Sequence, residues 1–217
     1  MIHLSRVSKL DGIRSWSMTA GVTCPGSRNF DGSLVDACAG CYAKGGNYRF
    51  SNARQPREEN QKDWKRSDWV ADMVRELDND RYFRWFDSGD IYHPELAKKI
   101  LEIVRLTPWA KHWIPTRSHK LPKLRLILEK IAEEPNASVR YSSDSVTGEY
   151  GYIHGSTIVP TKDIDDANLT ICEAYANNGG RCNGCRKCWD KSIKVIAYIA
   201  HGRSMRAVLK RKGILIK

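Results

Sequence analysis

Phe83-Arg84-Trp85-Phe86-Asp87-Ser88-Gly89-Asp90 reads as a buried strand that stops abruptly in a polar turn. Aromatic residues in close succession suit a strand covered on both faces, and Asp, Ser and Gly cannot continue it. The same pattern recurs along the chain. Thr116-Arg117-Ser118-His119 follows Trp113-Ile114-Pro115, Ser142-Ser143-Asp144 follows Val139-Arg140-Tyr141, and His201-Gly202-Arg203 follows Ile199-Ala200. Strands are predicted over 15–19, 82–86, 111–115, 139–142, 156–159 and 193–200. Helices are predicted around 57–60 and over 64–77, from Pro94, from Pro122 and from Arg203, with Pro94 and Pro122 at helix starts. Alternating strands and helices imply an α/β protein with parallel pairing. Six strands fit a partial (βα)6 TIM-like barrel or an open doubly wound sheet. Either gathers its ligands at the carboxyl ends of the strands, where the polar turns fall. Taken singly, Asp87 or Ser88 also reads as a helix cap, Asp144 as a turn residue and His201 as structural.

The seven cysteines divide into Cys24, Cys38 and Cys41 near the start and Cys172, Cys182, Cys185 and Cys188 near the end. An odd number cannot pair completely, and Met1–Arg6 leads into no apolar signal region. A reducing, cytoplasmic compartment and metal ligation are the expectation. Cys182-x2-Cys185-x2-Cys188, with Cys172 as fourth ligand, has the spacing of a [4Fe–4S] site. Four-thiolate zinc usually takes two separated Cys-x2-Cys knuckles and is the alternative. Amides of Gly179, Gly180 and Gly184 are expected to donate to cluster sulfurs. The first group supplies only three thiolates, which on a four-iron cluster leaves one iron open. A single cluster shared by both groups is a further alternative.

The 217 residues carry 36 Lys+Arg against 25 Asp+Glu, a net charge of +11, and no apolar run long enough to span a membrane. The segment 203–217 contributes six of these charges (Arg203, Arg206, Lys210, Arg211, Lys212 and Lys217) and contains no acid. It is predicted as a basic helix that adjoins the rim and holds phosphates of a nucleic acid or nucleotide, although a basic helix is also commonly just a solvated face. There is no internal repeat or linker, so 1–217 reads as one domain with a cysteine-rich segment at 172–188. P-loop, His-Glu-x-x-His and nucleophile-elbow motifs are all missing from the sequence.

Ala20-Gly21-Val22-Thr23-Cys24-Pro25-Gly26, Cys38-Ala39-Gly40-Cys41-Tyr42-Ala43, Phe83–Asp90, the four later cysteines with Trp189, and Ile196-Ala197-Tyr198-Ile199-Ala200-His201-Gly202 occur in this order. In this set the chain resembles the bacteriophage gene-product-88-like proteins. Its first part also looks like a radical S-adenosylmethionine enzyme, whose three cysteines lie in a loop after the first strand of a partial (βα)6 barrel. That resemblance implies Cys24, Cys38 and Cys41 as ligands of an open [4Fe–4S] cluster that binds S-adenosylmethionine, and the later four as ligands of an auxiliary cluster. Asp87, Ser88, Gly89 and Asp90 would meet the cofactor's amino group. The spacing departs from the usual Cys-x3-Cys-x2-Cys, being Cys-x13-Cys-x2-Cys. Asp87, Asp90 and Arg117 are the expected rim residues for catalysis, and His201 the expected acid. Ser88, Gly89, Ser118 and Asp144 are expected at the cofactor. The functional expectation is redox or radical chemistry on a nucleic acid or nucleotide by a phage-type protein acting in the host cytoplasm. The alternative is a non-catalytic iron–sulfur or zinc protein that binds nucleic acid.

Overall fold

The aromatic run at Tyr82–Trp85 forms a central strand, and its alternation distributes side chains to two sides of the sheet. Phe83 and Trp85 enter one buried cluster, while Tyr82 packs into another and Arg84 lies over the Trp113 ring at 4.7 Å. The structure is a computed structural model that describes residues 1–214. In chain order its elements are β1 (Leu4–Val7), β2 (Ile13–Trp16), α1 (Asp36–Ala39), α2 (Ser51–Asp63), α3 (Trp69–Glu76) and β3 (Tyr82–Trp85). Then come α4 (Pro94–Leu106), β4 (Lys111–Thr116), α5 (Pro122–Glu133), β5 (Ala137–Ser142) and β6 (Gly155–Val159). β7 (Leu169–Ile171), α6 (Glu173–Ala176), β8 (Val195–Ile199) and α7 (Arg203–Arg211) complete the chain.

The eight strands form one sheet in the order β1-β2-β3-β4-β5-β6-β8-β7. Only β1–β2 is antiparallel; every other pairing is parallel. The sheet is open, with β1 and β7 as its edges. The expected α/β class with parallel strands is therefore present, and the expected TIM-like barrel is corrected to an open sheet. The order follows the chain from β2 to β6 and on to β8 without reversal.

One face of the sheet is covered by α3, α4 and α5. Trp16, Trp69, Trp85, Leu96, Ile100, Val104, Leu128 and Ile131 meet there, with Trp16 edge-on to Trp69 at 5.3 Å. Each large apolar side chain so buried contributes about 1.5–3 kcal/mol. On the other side Leu10, Trp113, Cys182 and Trp189 form a second cluster. Val7 and Ile13 from β1–β2 and Tyr198 from β8 pack against it, so residues from distant strands meet on the cysteine-rich segment.

The helix expected over 64–77 is α3, preceded by a separate α2 that tolerates Pro56 in its second turn. The basic helix expected to reach 217 stops at Arg211. Gly213 takes φ +72, which favours glycine, and its N–H and that of Ile214 close back on Lys210 and Leu209. Positions 215–217 lie outside the described residues. No described helix is long and apolar enough to cross a membrane.

Candidate functional site

Two loops at the carboxyl ends of β2 and β3 are joined to each other. The Met18 N–H donates to Ser88 O, the Asp90 N–H donates to Thr23 O, and Ser88 Oγ donates to Met18 O at 2.7 Å. Gly89 has φ +78, and a Cβ there would lie 2.6 Å from Thr23 Oγ1. Only glycine allows this close approach, one residue from Cys24. Phe86, with φ +58, sits in a left-handed conformation unusual for a bulky residue. The turn is thus held against strain beside the first cysteine group.

Cys24, Cys38 and Cys41 lie near enough at this rim for their charges to interact. Burial pushes the Cys24 thiol up to about 12, with further contributions from Asp90, Cys38 and Cys41. Burial also raises Cys38, opposed by Arg117, whose Nη1 donates to Cys38 Sγ at 3.2 Å. α7 supports the loop from outside. A Cβ on Gly40 would lie 2.6 Å from Met205 Cε and 3.0 Å from its Cα, and Lys212 pairs with Asp36 at 2.6 Å.

The expected rim carboxylates face inward. Asp87 accepts from Arg84 Nη1 at 3.1 Å and from the Tyr48 hydroxyl, with Arg57 Nη2 at 3.6 Å. The Tyr42 hydroxyl donates to the Asp87 carbonyl at 2.8 Å. Asp90 is buried and accepts from Thr116 Oγ1 and from the Arg117 and Ile91 N–H groups, at 2.7–2.8 Å. Burial raises its pKa, and these donors oppose the shift. Ser118 is buried and donates to Ile91 O. Asp144 forms an ion pair with Arg117 Nε at 3.1 Å and accepts from Lys120 Nζ at 2.6 Å, and its carbonyl accepts from the Ala37 N–H of α1. Asp87, Ser88, Gly89, Asp90, Arg117, Ser118 and Asp144 therefore form a connected frame around three thiols.

His201 lies elsewhere. Its ring stacks on Tyr175 at 3.4 Å and its Nδ1 bonds Ile199 O at 2.8 Å; burial lowers its pKa. Tyr175 belongs to the helix directly after Cys172, which places His201 with the second cysteine group.

That second group shares one hollow. Cys172, Cys182, Cys185 and Cys188 line it together with Thr170, Ile196 and Trp189, and it is partly open to solvent. Burial pushes Cys188 up to about 11, opposed by a contact of its Sγ with the Tyr198 hydroxyl at 3.5 Å. Two of the three amides expected to face this group are engaged elsewhere: Gly184 N–H donates to Asp11 Oδ2 and Gly180 N–H to Ala174 O. Among the described residues no group of three or more His, Cys, Asp or Glu side chains could hold a single metal ion. A four-thiolate zinc site would need its sulfurs about 3.8 Å apart, given Zn–S bonds near 2.3 Å.

Arg140, on β5, was not among the expected site residues. It is 1% exposed, and no carboxylate pairs with it among the described residues. Its guanidinium donates to the carbonyls of Lys187, Cys188, Asp190, Ile193 and Lys194 at 2.6–3.2 Å. Burial lowers its pKa, against the pull of Tyr198, Cys188 and Asp190. The sequence signal is an arginine between Val139 and Tyr141 in a strand otherwise read as buried.

A family model described as gene product 88 matches residues 5–191. No curated protein and no solved structure matches the chain.

Proposed function

The chain belongs to the gene product 88 family, and from that premise we propose that it is an iron–sulfur protein carrying out redox or radical chemistry on a nucleic acid or nucleotide. Cys24, Cys38 and Cys41 would hold a [4Fe–4S] cluster with one iron free of protein ligands. Cys172, Cys182, Cys185 and Cys188 would hold a second, closed one. When bound, such clusters supply one-electron transfer, and the open one a position for a small cofactor such as S-adenosylmethionine. The observation that carries the reading is the gathering of four separated thiols around one hollow and of three others at one rim.

The chain's own groups have clear tasks in this reading. Arg117 donates to Cys38 Sγ and lowers the cost of thiolate charge in a buried place. Tyr198 does the same at Cys188. Asp87 and Asp90 hold the loops in register. The unreversed strand order and the three-thiol loop following β2 favour a radical-S-adenosylmethionine-like core.

One observation favours the second reading, in which metal staples a non-catalytic nucleic-acid-binding protein. Both rim carboxylates are filled by internal donors, which leaves neither free as a proton carrier. Anaerobic purification with iron and sulfide counts, then electron paramagnetic resonance with and without S-adenosylmethionine, separates the two. About eight irons per chain and a spectrum changed by the cofactor are expected. About four would mean one shared cluster, and zinc without iron would overturn the cluster assignment. An unchanged spectrum with no cofactor cleavage leaves the staple reading.

A further inference from the structure

α7 presents two opposed faces. Met205, Val208 and Leu209 are buried, while Arg203, Arg206 and Lys210 are exposed, and these three make no ion pair among the described residues. At 3.6 residues per turn the three cations lie within about 60° of one another on the side away from the core. Arg203 and Lys210 are about 10 Å apart along the axis, roughly three phosphate steps of a stacked strand. The buried face rests on the first cysteine loop through Met205 and Gly40. Two residues beyond Gly40 stands Tyr42, 54% exposed, its hydroxyl tied to Asp87 O and its ring edge-on to Tyr48 at 5.5 Å. An anchored hydroxyl with an open ring is a pre-ordered stacking surface.

We propose that α7 and Tyr42 form a binding track for single-stranded nucleic acid: Arg203, Arg206 and Lys210 hold successive phosphates, and an unpaired base stacks on Tyr42 beside the three-cysteine rim. A duplex would offer phosphates equally well but keeps its base faces covered, so the exposed ring selects the single strand. This inference rests on the functional reading only for what lies at the end of the track.

The test is fluorescence anisotropy of the full chain with a labelled mixed-sequence 20-nucleotide single strand, the matching duplex and anionic phosphatidylserine vesicles, over 50–200 mM salt. Three phosphate contacts at about 0.7 each give a log–log salt slope near 2, or roughly a 20-fold loss of affinity across that range. Arg203→Gln/Arg206→Gln/Lys210→Gln should reduce the slope by about 2. The matched control Arg81→Gln/Lys111→Gln/Lys130→Gln removes the same charge at the opposite strand ends and should leave the slope near wild type. Tyr42→Leu should weaken the single strand by at least about five-fold and the duplex little, whereas Tyr42→Phe should bind as wild type. Equal effects of the two triple variants, tighter duplex binding, or vesicles bound in preference would each overturn the proposal. Far-ultraviolet circular dichroism identifies any variant that fails to fold, in which case the single changes Arg206→Gln and Tyr42→Leu decide. Iron counted in the same samples keeps the two readings apart: binding without iron defeats the cluster reading alone, and iron without binding defeats this one alone.

Discussion

Replacing Arg140 by Met asks whether the second cysteine segment is held by one buried cation. Two opposing effects follow from the substitution. Removing an unpaired guanidinium from the interior recovers its desolvation penalty, several kcal/mol. It also strips donors from five carbonyls between Lys187 and Lys194. Hydrogen bonds to a charged donor are worth about 1.5–3 kcal/mol each, roughly 8–15 kcal/mol gross. The carbonyl loss wins, by about 5 kcal/mol net, which is comparable to the whole stability of a typical domain. Urea unfolding followed by tryptophan fluorescence is a direct assay, because Trp113 and Trp189 sit 5.1 Å apart beside the segment. Arg140→Met should fold poorly or lose most of its stability. Arg140→Lys keeps the charge but offers three donors for five acceptors, so at the same worth per bond it should lose about 3–6 kcal/mol. If Arg140→Met unfolds within 1 kcal/mol of wild type, the five contacts do not hold the segment and the reasoning fails.

Acid should weaken the fold through His112. Burial lowers its pKa from 6.5 to about 4; Trp85 Nε1 donates to its Nδ1, and its Nε2 faces Thr107 Oγ1. The unfolded chain takes up this proton below about 6.5 and the folded chain only near 4, so stability is complete above 6.5 and declines by about 3 kcal/mol as pH falls to 4. Urea midpoints between pH 7 and 4.5 should fall less steeply in His112→Gln, and identical slopes would contradict the assignment. Gly26→Ala places a Cβ 2.2 Å from Arg117 O, a backbone atom that cannot yield without parting the two loops. A loss of about 1–3 kcal/mol in thermal unfolding is expected. Gly45→Ala, with nothing within 4 Å, should be close to neutral.

Strand and helix order was legible because apolar periodicity and chain-internal punctuation carry it. The run at Tyr82–Trp85 and the prolines at 94 and 122 mark their elements directly. β1 and β7 were missed because edge strands of four and three residues carry too little pattern. Whether the sheet closes depends on how distant edges meet, which no local window contains. The division of the cysteines into three and four was visible in spacing. The internal partners of Asp87 were not: a carboxylate at a strand end looks the same in sequence whether or not it meets, as here, two arginines and a tyrosine hydroxyl. Arg140 escaped notice because its partners are backbone carbonyls, which leave no residue-type signature.

The two cysteine groups are also supported by different parts of the fold, and this bears on whether one cluster could serve both. The first hangs from the Met18–Cys24 and Asp87–Asp90 loops and is held by Arg117 and α7. The second is fixed from within by Arg140 and from the β1–β2 turn, where the Cys182 N–H donates to Lys9 O and Arg186 pairs with Asp11. Arg84 lies on Trp113, which packs with the second group, and pairs with Asp87, whose carbonyl accepts from the Tyr42 hydroxyl. The separate supports argue for the two-cluster form of the proposal over the shared one, and the iron count per chain decides between them.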